Sequence, residues 1–83
     1  MHELGVLYQA LKVVDRVAVN NRISRVRHIT LEVGEDSGYL PLCFEKLFPV
    51  ASDPFPALHG AQLRISTVPG ASLQVKGDVW EIC

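Results

Sequence analysis

The apolar positions of the first twenty residues recur at helical intervals. Leu4, Leu7, Tyr8, Leu11, Val14 and Ala18 form one stripe, and Lys12, Asp15 and Arg16 fall off it. That spacing predicts an amphipathic helix over Leu4–Val19. A second row, Val6, Ala10, Val13 and Val17, widens its apolar face, as expected of a helix packed on both a sheet and another helix; the alternative is a partner surface. Asn20 and Asn21 are suited to ending the helix, because Asn tolerates the left-handed conformation. The period then changes to two. Ile29, Leu31 and Val33 alternate with His28, Thr30 and Glu32, which predicts a half-buried strand over Val26–Val33 with His28 on its solvated side.

Residues Gly34 to Gly38 have a turn composition. Pro41 suits the first turn of a second helix, whose core positions are Leu40, Phe44, Leu47 and Phe48. Pro49 lacks an amide donor and is expected to stop or kink that helix. Ala51 to Gly60, with Asp53, Pro54 and Pro56, reads as a surface loop, and His59 as a solvated turn histidine. Ala61, Leu63 and Ile65 alternate with polar residues as a second strand that ends at Val68-Pro69-Gly70. Leu73, Val75 and Val79 share a parity and predict a third, with a bulge or turn at Gly77-Asp78. Trp80 and Ile82 have the opposite parity and close the core, face a partner or follow the bulge. The order α-β-α-β-β, with each strand apolar on one face, predicts an α+β two-layer sandwich: two helices on one face of a three-stranded sheet.

Composition narrows the functional classes. A chain of 83 residues is one small domain, residues 1–83, near the size at which folding buries only roughly 60% of the unfolded surface. Oligomerisation, including a homodimer, or a bound metal would help it. Eight Lys plus Arg against nine Asp plus Glu leave a net charge of −1, which argues against nucleic acid and anionic membranes. Arg22, Arg25 and Arg27 cluster as a charged loop and strand entry. Cys43 and Cys83 form no C-x-x-C pair, so a reducing cytoplasm is the expected compartment. Neither a signal peptide nor a membrane-length apolar run is expected. No nucleophile motif, phosphate loop or H-E-x-x-H occurs, so no enzyme is expected. Cys43 reads as a buried helix thiol, and an enzyme built on Cys43 or His59 has little support.

The first three residues carry the candidate chemistry. A free α-amine at Met1, the amide nitrogen and Nδ1 of His2, and the amide of Glu3 supply four nitrogens in the square-planar arrangement that suits Ni(II) or Cu(II) and not zinc. A frayed, solvated tail is the competing reading of the same residues.

Several segments together resemble the HypA family of nickel metallochaperones, which serve hydrogenase and urease maturation. They are Met1-His2-Glu3-Leu4 with the apolar first helix, the strand and turn Ile29–Gly38 with its G-E-x-S-G pattern, the proline-led second helix with Phe44 and Phe48, and Gly60–Ile65 as G-A-x-L-x-I. The resemblance covers residues 1 to 70. It implies Ni(II) bound through Met1, His2 and Glu3, with His2 indispensable and the Glu3 carboxylate tuning the site. It further implies a nickel-handling maturation GTPase as partner and a nickel-enzyme precursor as recipient. Members usually carry a zinc module with two C-x-x-C pairs after the second strand, which this sequence lacks after residue 70, so no zinc is expected. Loss or removal of that module is expected, the alternative being that Cys83 is its first cysteine. The alternative function is a protein-interaction or regulatory module that kept the scaffold and no longer delivers metal.

Overall fold

The computed structural model describes the backbone of residues 3–82 and the side chains of residues 3–75. Its elements are α1 (Glu3–Asn20), β1 (Ile23–Gly34), α2 (Pro41–Ser52), a 3-10 turn (Pro56–Leu58), β2 (Gln62–Val68) and β3 (Leu73–Ile82). This is the expected α+β arrangement, a three-stranded mixed sheet with two helices.

β1 is the central strand of the order β2-β1-β3. It runs parallel to β2, with Leu31 beside Ile65, and antiparallel to β3, with Leu31 beside Val75. Parallel strands need a long crossover, and α2 with the 3-10 turn supplies it. Leu7, Leu11, Val14 and Ala18 of α1 meet Ile29, Leu31 and Val33 of β1 and Phe44 of α2 in one buried cluster. From Leu7 to Ala18 the first helical stripe is therefore the core face, whereas Leu4, at the start of the helix, is 40% exposed. The second row is not packed in full: Val13 is 57% and Val17 43% exposed.

Several boundaries differ from the sequence reading for identifiable reasons. α1 ends with Asn20, and the left-handed residue is Arg22, at φ 56°. Asn21 donates its side-chain amide to the Val17 carbonyl at 2.8 Å, closing the helix by a hydrogen bond instead of by its own backbone conformation. β1 starts at Ile23, so Arg25 and Arg27 belong to the strand. The register irregularity lies between Ile23 and Arg25, and the ladder runs unshifted through Gly77 and Asp78, where the bulge was expected. Val26 is fully buried although it is out of phase with Ile29. The side chains of Trp80 and Ile82 lie outside the described residues.

Pro49 does not stop α2, which continues to Ser52. Burial of Ala51 at 2% and Ser52 at 6% exposure holds the last turn against the core, and Ser52 Oγ donates to the Pro49 carbonyl at 3.4 Å. The expected surface loop is likewise partly core. Phe55 and Leu58 are 7% and 0% exposed, and the Phe55 ring lies 5.4 Å from that of Tyr8.

The turn after β1 is tied to the far side of the sheet. β2 and β3 flank β1, so their connection must cross its end, and there the amides of Gly34, Glu35 and Asp36 donate to the carbonyls of Ser72, Val68 and Gly70, each at 2.8 Å. A Cβ on Gly34 would collide with the Gly70 carbonyl oxygen and reach 2.8 Å from that of Ser72. Only glycine fits there, which gives the G-E-x-S-G turn a physical reason.

Candidate metal centre

Glu3 is the first residue of α1 and half-buried. Met1 and His2, the other two expected ligands, lie outside the described residues. The position of Glu3 bears on the nitrogen site expected from the sequence. Its amide belongs to the first turn, where no N–H has an intrahelical acceptor, so metallating it breaks no helical hydrogen bond. Two deprotonated amides would also cancel the charge of a divalent ion, so the positive end of the helix would meet no additional cation.

Among the described residues, no three His, Cys, Asp or Glu side chains are grouped to hold a metal ion. Cys43 is a free, half-buried thiol on α2. His59 is exposed, as expected, but its Nε2 lies 2.8 Å from the Asp53 carbonyl oxygen. A carbonyl only accepts, so Nε2 carries the proton and Nδ1 is left over. His28 departs from its expected solvated setting. It is half-buried, and its Nδ1 is enclosed without a hydrogen-bond partner among the described residues.

These two histidines share a solvent-open cleft of about 350 Å³ with Arg25, Val26, Arg27, Gly60 and Gln62. Sequence reasoning missed this grouping because more than thirty positions separate its two halves. The parallel register His28 beside Gln62 brings them together.

Two of the segments placed by this fold, the α1 N-terminus and the Gly34 turn, fall within a match to the family model described as hydrogenase/urease nickel incorporation, metallochaperone, hypA, which covers residues 1–73. The chain belongs to the HypA family. A hydrogenase maturation factor HypA from Trichodesmium erythraeum (strain IMS101) is 39% identical over 70 residues, which is 84% of this chain and 58% of that protein. The chain thus spans less than two thirds of the length of that relative. The solution structure of the Ni metallochaperone HypA from Helicobacter pylori superposes with a TM-score of 0.76 at 13% identity, covering 99% of this chain and 97% of that one. At that identity the superposition establishes a shared HypA fold. In this HypA-family chain β2 and β3 are joined by residues 69–72 alone.

Proposed function

We propose that this HypA-family chain handles nickel for hydrogenase or urease maturation and binds Ni(II) through the α-amine of Met1, the imidazole and amide of His2, and the amide of Glu3. The observation that carries this reading is the start of α1 at Glu3, which leaves that amide without a helical acceptor next to the terminal chelate. Membership in a family described by nickel incorporation supplies the cargo. The site is a relay for an ion and not a catalyst. Its ligands can be protonated or replaced one at a time, so the metal can be passed on. A nickel-handling GTPase and a nickel-enzyme precursor are the expected partners, in the cytoplasm. Zinc has no part in the proposed site, because its nitrogens favour a square plane. The test is a Ni(II) titration of the chain with a native Met1 amine, compared with His2→Ala.

A second reading rests on the exposed Val13 and Val17. Val13 lines a groove of about 520 Å³ between α1 and β3 together with Val6, Ala10, Leu73 and Val75, and Val17 lies one turn further along α1. An interaction module would need this face and not the terminal nitrogens. Val13→Asp abolishing partner association while nickel binding persists would assign the groove to docking. Association that persists in a chain unable to bind nickel would favour the module over the chaperone.

A further inference from the structure

The cleft beside β1 has no part in the nickel proposal. β1 extends further toward its N-terminus than β2, which joins it only at Gln62, opposite His28. The space left beside Arg25–Arg27 is bounded by β1 on one side and by His59, Gly60 and Gln62 on the other. Its described lining holds two arginines, two histidines and a glutamine, and no carboxylate. Arg25 and His59 are exposed.

We infer that this cleft binds a phosphoryl oxyanion, either free phosphate or a phosphate monoester, between Arg25, His28 and His59. A guanidinium offers paired N–H donors matched to phosphate oxygens. The hydrogen bond from His59 Nε2 to Asp53 fixes the ring and leaves Nδ1 as the nitrogen that, when protonated, donates to an anion. His28 lines the same cleft, and its Nδ1 has no hydrogen-bond partner among the described residues. Arg27 has other interactions and contributes positive potential. The acids closest in register, Asp78 opposite His28 and Glu81 opposite Arg25, belong to β3. That strand flanks β1 on the edge opposite β2, whereas the cleft opens on the β2 edge.

The test is a ¹⁵N–¹H NMR titration of the nickel-free chain with inorganic phosphate, with adenosine monophosphate, and with chloride at matched ionic strength. Saturable shifts centred on Arg25, His28, His59 and Gly60 are expected with a phosphoryl ligand. Tighter binding of the nucleotide would identify a monoester as the ligand, and equal or weaker binding would identify free phosphate. Arg25→Gln should weaken binding about tenfold, equivalent to one lost charge-assisted hydrogen bond, and Arg64→Gln, on the exposed part of β2, should leave it unchanged. Non-saturable shifts, the same shifts with chloride, or equal effects of the two arginine substitutions would overturn the proposal. His2→Ala should not alter it, so its failure is separable from failure of the nickel reading.

Discussion

Gly34 marks the point where a single residue type decides whether three segments can meet. Its amide bonds Ser72, and the space a methyl group would occupy is filled by backbone oxygens of the β2–β3 connection. Backbone cannot move aside as a side-chain tip can, so Gly34→Ala should cost about 2–3 kcal/mol, the upper range for overpacking. A urea denaturation midpoint would show it. Arg22 is the opposite case. A branched-free but bulky residue holds φ 56° where Asn or Gly is at ease. Arg22→Asn should raise stability by about 0.5–1 kcal/mol, seen as a higher midpoint with an unchanged slope; a lower midpoint would mean that the arginine side chain makes a compensating contact.

At the scale of elements, what the sequence revealed and what it hid have physical causes. The stripe Leu7, Leu11, Val14, Ala18 and the alternation Ile29, Leu31, Val33 were legible because each element buries one face against the other, so period reports burial directly. The segment after α2 was not legible. Proline and aspartate report local turn chemistry, whereas Phe55 and Leu58 are buried by tertiary packing on α1 and β1, which no local pattern encodes. Phe55→Ala should therefore cost about 3–5 kcal/mol, the range for emptying a buried aromatic site. A loss below about 0.5 kcal/mol, typical of a surface position, would restore the loop reading. Pro49 follows the same logic: local propensity argues for a stop, but burial of Ala51 and Ser52 outweighs it. The cleft of Arg25, His28 and His59 was hidden because register, not spacing, assembles it.

For the molecule as a whole, α1 begins at Glu3, and the proposed nickel site would join that residue's amide to the nitrogens of Met1 and His2. Of the candidate site, the ligand types were legible in Met1-His2-Glu3, and the structure adds that Glu3 begins the helix. Nickel bound through an amine, an imidazole and deprotonated amides competes with protons at each ligand. Affinity should be greatest above the ordinary imidazole range of about 6.5 and fall as pH drops through it, measurable by competition with a chromophoric chelator. A pH-independent affinity would place the metal on other ligands. The most direct measurement is a Ni(II) titration, followed by absorbance, of the chain with nothing preceding Met1, repeated with His2→Ala. The account predicts one equivalent bound with the yellow absorption of square-planar nickel, weakened in His2→Ala by more than about 100-fold, beyond what loss of a merely supporting residue causes. Absence of binding near neutral pH, or equal binding by the variant, would contradict it.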